Sequence, residues 1–151
     1  MNSVIDSFWN NQNVYSFAYD SVGGDLYVSG ENGTFAKYNI SSGAVTNLSS
    51  GLSAVWGGSG IGVSELVFDS TNRKIYISSW DWGGSYLARY DPIANSFTNL
   101  ISKVSGAWGA SLVYALTFDS VGNEIYVGGY KTSGSVAFGK YNPLSDIFTD
   151  L

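Results

Sequence analysis

The sequence predicts an all-β chain built from three copies of one four-stranded unit. Three observations predict it. Marker residues recur at steps of about 50. Apolar residues alternate in short runs, as on strands. Asp, Asn, Gly and Pro clusters separate those runs, and no stretch of about 12 residues keeps a helical period without a Gly interrupting it.

The repeat frame is tight. Asp20, Asp69 and Asp119 recur at steps of 49 and 50 residues, as do Tyr27, Tyr76 and Tyr126. Tyr38, Tyr90 and Tyr141 step by 52 and 51, as do Leu48, Leu100 and Leu151. The interval from Asp to the first Tyr is 7 in every copy, and from the second Tyr to Leu it is 10. Between the two Tyr it is 11, 14 and 15. A fixed frame with one elastic interval describes a scaffold carrying a variable loop. Residues 1–151 therefore form one three-part unit, divided near 1–50, 51–101 and 102–151.

The first strand of each copy is expected at Val14 to Tyr19, Val63 to Phe68 and Val113 to Phe118. Its bulk falls on alternate positions: Tyr15, Phe17 and Tyr19 in the first copy, Tyr114, Leu116 and Phe118 in the third. The second strand centres on Leu26-Tyr27-Val28, Ile75-Tyr76-Ile77 and Ile125-Tyr126-Val127, apolar runs that imply burial on both faces. The third covers Phe35 to Tyr38, Leu87 to Tyr90 and Phe138 to Tyr141; the fourth, Val45 to Leu48, Phe97 to Leu100 and Phe148 to Leu151. Asp-Ser turns join strands one and two. Asn39 to Gly43, Asp91 to Asn95 and Asn142 to Asp146 join strands three and four. Asp and Asn accept hydrogen bonds from their own turn, and Gly supplies positive φ.

Four-stranded units of this length resemble β-propeller blades. The resemblance runs along essentially the whole chain and is to blades of the kelch and two-component-regulator-propeller type. It rests on the Asp-Ser turn, on Ile125-Tyr126-Val127-Gly128-Gly129, on Tyr90-Asp91-Pro92 and on Ser96-Phe97-Thr98-Asn99-Leu100. The kelch Gly doublet is present only at Gly128-Gly129, where the other copies have Ser29-Gly30 and Ser78-Ser79, and no Trp-Asp ending of the WD40 type occurs. Closed propellers have about 4 to 8 blades, so three leave faces uncovered. The expectation is half of a six-bladed propeller, closed by head-to-tail homodimerisation, or else part of a longer propeller.

Composition bounds the function. The 151 residues include no Cys and no His, which removes thiolate and imidazole chemistry. No paired carboxylates are placed together by the repeat, so the chain reads as non-enzymatic, without metal or cofactor; a fragment of a propeller enzyme is the third reading, after the binding scaffold and a carbohydrate-binding lectin. Seven basic residues are scattered against twelve acidic ones, giving a net charge of −5. Nucleic-acid binding needs clustered cations and is not expected. No run approaches the roughly 18 apolar residues of a membrane span, and no signal peptide is expected at the start of the chain. The Ser-, Asn-, Gly- and Tyr-rich composition suggests an extracellular or cell-surface setting.

Alternating strand direction gathers the second-to-third-strand loops and the inter-blade linkers on one face. All five Trp belong there. Trp9, Trp56 and Trp108 precede successive copies and read first as wedges between blades. Trp80 and Trp82 occur in one copy only and are the better candidates for stacking on a sugar ring or a protein ligand. Asp81, Tyr130, Lys131, Glu31 and Asn32 would supply contacts beside them. Glu65 replaces Ser16 and Ala115 on the innermost strand and is expected to line a central channel. Lys37, Arg89 and Lys140 share one position and read as side chains covering an outer face. Asp20, Asp69 and Asp119 read as turn caps, not metal ligands.

Overall fold

The computed structural model describes residues 8–9, 11–79, 84–109, 111–131 and 133–151. Twelve strands form three four-stranded antiparallel sheets, each a simple meander in chain order. Blade 1 holds β1 (Val14–Asp20), β2 (Asp25–Gly30), β3 (Phe35–Asn39) and β4 (Val45–Asn47). Blade 2 holds β5 (Glu65–Asp69), β6 (Lys74–Ser79), β7 (Tyr86–Asp91) and β8 (Ser96–Asn99). Blade 3 holds β9 (Ser111–Asp119), β10 (Glu124–Lys131), β11 (Val136–Asn142) and β12 (Ile147–Asp150). Strand β1 abuts β5, and β5 abuts β9, so these three line the inner side. The blades are propeller-like, and the repeat frame registers them on one another.

The Asp-Ser turns are built as the sequence implies. Asp20 Oδ1 accepts from the backbone N–H of Val22 and Gly23 at 2.9 and 2.8 Å, and Asp69 Oδ1 accepts from those of Thr71 and Asn72 at the same distances. Two such bonds satisfy acceptor capacity that burial takes from water, and Asp20 and Asp69 are both fully buried. Each turn then needs a left-handed residue, supplied by Gly24 (φ 71°), Arg73 (φ 53°) and Asn123 (φ 52°).

The cores lie between the blades, not within them. Ala18, Tyr27 and Phe35 of blade 1 meet Leu66, Ile75, Ile77 and Tyr90 of blade 2 at junction 1. Tyr76 and Leu87 of blade 2 meet Ile125, Val127 and Tyr141 of blade 3 at junction 2. Blade 2 is therefore covered on both faces, and Ile75, Tyr76 and Ile77 are all buried.

Three features differ from that reading or add to it. Strand β5 starts at Glu65 rather than Val63, although Val63 is buried and its N–H donates to Gly30 O at 3.0 Å. In β1 the buried positions are Ser16, Ala18 and Asp20, and the bulky Tyr15, Phe17 and Tyr19 point into solvent. The face they occupy is the one blade 2 covers with its neighbour, and blade 1 has no neighbour on that side. Third, the linkers are not irregular. Two eight-residue helices, α1 (Ser49–Trp56) and α2 (Ile101–Trp108), connect the blades. Leu52 and Trp56, and likewise Val104 and Trp108, are four apart and buried on one helix side. So short a helix is marginal alone, and burial between blades is what forms it.

Candidate functional site

Two kinds of surface are candidates: the loop rim and the two open blade faces. Trp80, Asp81 and Trp82 lie outside the described residues. The remaining polar rim candidates fall into two clusters, one on blade 1 and one on blade 3.

In blade 1, Glu31 and Asn32 occupy a single 3-10 turn, Glu31–Gly33, with Asn32 left-handed at φ 55°. The Glu31 carboxylate accepts from the Asn13 side chain at 2.6 Å, the Asn13 backbone at 3.2 Å and the Tyr15 hydroxyl at 3.0 Å. The Asn13 side-chain bond foremost, with the other two, holds its pKa below the usual carboxylate range. It is a half-buried, ionised and already partnered carboxylate.

In blade 3, Lys131 Nζ and Trp108 Nε1 both donate to Asp150, to different oxygens and each at 2.7 Å. The Lys131 bond leads in depressing the Asp150 pKa. Tyr130 precedes Lys131 on β10 with its ring exposed, and as strand neighbours the two side chains point to opposite faces of the sheet.

The recurring Trp residues sit deeper. Trp56 is buried at junction 1, with its ring 5.2 Å from that of Tyr86. Trp108 is buried at junction 2, edge-on to Phe148 at 5.0 Å. Trp9 is half-buried and lies over Gly30, where an added Cβ would sit 3.0 Å from its ring. Trp108 stands in the same relation to Gly129, at 3.2 Å. Trp9 is thus placed as the wedge of a junction whose other side is open. Glu65 is half-buried on the inner strand, where its Oε1 accepts from Ser16 Oγ at 3.3 Å. Ser16 Oγ in turn accepts from Leu66 N–H at 3.0 Å, stitching blade 2 to blade 1. Among the described residues no group of three or more acidic side chains could hold a metal.

The open faces carry most of the exposed aromatic surface. On blade 1, Phe17, Leu26, Val28, Ala36, Tyr38 and Val45, with Trp9 and Val14, line an apolar groove of about 260 Å³. By the repeat frame its wall positions correspond to Leu66, Ile75, Ile77, Ala88, Tyr90 and Phe97, the blade 2 side of junction 1. On blade 3, Tyr126 and Phe138 stack at 5.7 Å with planes 7° apart. They correspond to Tyr27 and Phe35, which stack at 6.0 Å within junction 1.

Polar links run across the junctions that exist. Arg73 Nε donates to Asp20 Oδ2 at 3.0 Å across junction 1. Asn72 Nδ2 donates to Asp69 Oδ2 within its own turn at 2.8 Å and across junction 2 to Asn123 Oδ1 at 2.9 Å. Lys103 reaches from α2 to Asp146 at 2.7 Å. Its counterpart in α1 is Gly51, and a crevice of about 280 Å³ opens there between α1 and Phe97. Sequence reading missed these links. Comparing the copies position by position at Gly24, Arg73 and Asn123 is the signal that could have found them. Of the shared basic position, Lys37 pairs with Asp25 at 3.5 Å and Lys140 with Glu124 at 2.8 Å, each within its own blade.

No family model matches the chain, and no curated protein does. Solved structures share its fold. The extracellular domain of a hybrid two-component system from B. thetaiotaomicron aligns over 91% of this chain with a TM-score of 0.68 at 17% identity. A nidogen/laminin complex aligns over 92% with a TM-score of 0.66 at 12% identity, and TolB from Acinetobacter baumannii over 89% with 0.64 at 15%. The chain spans 16%, 48% and 31% of those chains respectively. At such identities the likeness is one of fold: stacked, four-stranded, propeller-like blades.

Proposed function

We propose that this chain is a non-catalytic propeller module, a rigid binding scaffold that completes its ring by pairing head to tail with a second copy. The observation that carries this reading is the pair of uncovered end faces. Phe17 is 59% exposed and Phe138 50%, whereas their counterparts in blade 2, Leu66 and Leu87, are 4% and 1% exposed. Repeat units bury such faces against neighbours, and a contiguous apolar patch left open marks an interaction surface. Two copies of three blades make six, within the range of about 4 to 8 for closed propellers. An extracellular setting agrees with the composition and with the extracellular domain among the similar structures. Light scattering on the purified chain tests the pairing. The expected mass is twice 16.2 kDa, and a persistent monomer refutes it.

A carbohydrate-binding role is the second reading, favoured by the exposed Tyr130 ring near the end of β10. Trp80 and Trp82 would provide the stacking surface, with Asp81, Glu31 and Asn32 as polar neighbours. Binding on a glycan array, lost in Trp80→Ala and Trp82→Ala, would support it. Silence across a broad array leaves the scaffold reading alone.

A further inference from the structure

We infer that two copies join in one register, with blade 3 of one copy standing to blade 1 of the next as blade 1 stands to blade 2 at junction 1. The inference rests on the ring reading above and adds its contacts. The Tyr126–Phe138 stack seats in the second copy's groove against Leu26, Tyr38 and Val45, and Asp119 faces the second copy's Gly24.

The two junctions inside the chain are the template. At junction 1 the Tyr27–Phe35 stack meets Tyr90, with Tyr27 edge-on at 5.8 Å and Phe35 edge-on at 5.9 Å. At junction 2 Tyr76 meets Tyr141 edge-on at 5.9 Å. The next members of this series are Tyr126 and Tyr38, one on each open face. The stack is already formed on blade 3, so seating it costs little side-chain ordering. The groove opposite carries the same positions that receive Tyr27 and Phe35 inside the chain, and Trp9 stands at its end as Trp56 stands at junction 1.

The polar link does not repeat. Position 73 supplies Arg to Asp20 and position 123 supplies Asn to Asn72, but the same position in blade 1 is Gly24. Asp119 has no cation within ion-pair distance among the described residues. The seam between copies is therefore apolar and lacks the link that ties junctions 1 and 2. It is the junction that opens first. A side chain at position 24 would restore the link. Gly24 shares the left-handed conformation of Arg73 and Asn123, and a Cβ there meets nothing within 4 Å.

Sedimentation equilibrium of the full chain, over a range of concentrations, tests the register. The wild-type chain is expected to form a reversible dimer. Gly24→Arg is expected to tighten its Kd about a hundredfold, about tenfold for one charge-assisted hydrogen bond at each of the ring's two seams. Asp119→Asn added to Gly24→Arg should return Kd to near the wild-type value. Phe138→Ser should leave a monomer with an unchanged β-sheet circular-dichroism spectrum. Gly24→Asn, which tolerates positive φ, serves if the Arg variant folds poorly, and a smaller tightening is expected of it. A monomeric wild type sinks the ring reading itself. A wild-type dimer whose Kd ignores Gly24→Arg and Gly24→Asn, or whose tightening survives Asp119→Asn, overturns the register and leaves the ring standing. So does a dimer that persists in Phe138→Ser.

Discussion

Tyr27 and Tyr90 meet edge-on across junction 1 with ring centroids 5.8 Å apart, yet their hydroxyls fare differently. Tyr90 donates to Asn95 Oδ1 at 2.9 Å. The Tyr27 hydroxyl is buried with no hydrogen-bond partner among the described residues. A buried hydroxyl without a hydrogen bond costs about 1–3 kcal/mol, and an apolar group of the same shape does not bear that cost. Tyr27→Phe is therefore expected to stabilise the fold by about 1 kcal/mol and Tyr90→Phe to destabilise it by a similar amount. Urea unfolding of the two variants beside the wild type reads both. Equal effects of the same sign would show that the hydroxyls are not in these environments.

The same burial governs alkaline stability. Desolvation pushes the phenols of Tyr27 and Tyr76 far above the ordinary value near 10, and burial, with a bond to Asp146, pushes Tyr141 up to about 12. A folded pKa above the unfolded one means that the native chain binds more protons in that window. Stability is then complete below pH 10 and lost as pH rises toward 12. Phenolate absorbance during an alkaline titration is expected to rise in two stages. The later stage, ionisation of the buried rings, is expected to coincide with loss of the sheet signal. A single smooth rise with the fold intact would contradict this.

The helices show where the sequence was readable and where it was not. Turns were legible because Asp20, Asp69 and their neighbours settle them locally, within three residues. Strand identity was legible for the same reason, through the alternating side chains. The linkers were not, because Gly51 and Gly106 break the helical period and only burial against the next blade overrides them. The inward face of β1 was not legible because coverage depends on which blade stands alongside, and Phe17 and Ser16 alone cannot say. Arg73 looked like one scattered cation because its partner, Asp20, belongs to the preceding copy. At the rim, Glu31 and Lys131 were found as polar residues, but their saturation by Asn13 and Asp150 is a property of the assembled loops.

Those two glycines separate local propensity from packing. Both are helical, so Ala should gain up to about 1 kcal/mol at either on propensity alone. An added Cβ at Gly106 meets nothing within 4 Å, whereas at Gly51 it would lie 2.5 Å from the Phe97 ring. Phe97 cannot easily yield, since its ring is already 4.7 Å from Tyr90 and 6.0 Å from Phe35. Gly106→Ala is expected to raise stability by about 0.5–1 kcal/mol and Gly51→Ala to lower it by about 1–3 kcal/mol. Thermal melts of both single variants check the sign of each. A stabilised Gly51→Ala would mean that α1 does not press on blade 2 at this point.

Phe35 and Phe138 hold one repeat position in two environments, which allows the cost of an uncovered face to be measured. Each stacks on the Tyr of its own second strand, yet Phe35 is fully buried against Tyr90 while Phe138 is half exposed. Truncating a buried Phe costs about 3–5 kcal/mol through lost transfer energy and the cavity left behind. Phe35→Ala is expected to fall in that range at any protein concentration. Phe138→Ala removes a ring that water already reaches, and in dilute solution it should cost no more than about 1 kcal/mol. If ring closure covers blade 3, the penalty at Phe138 must grow with concentration, because association stabilises only the chain that can pair. Chemical denaturation at two well-separated concentrations distinguishes the cases. A Phe138→Ala penalty that is small and independent of concentration would leave the face uncovered in solution and count against pairing.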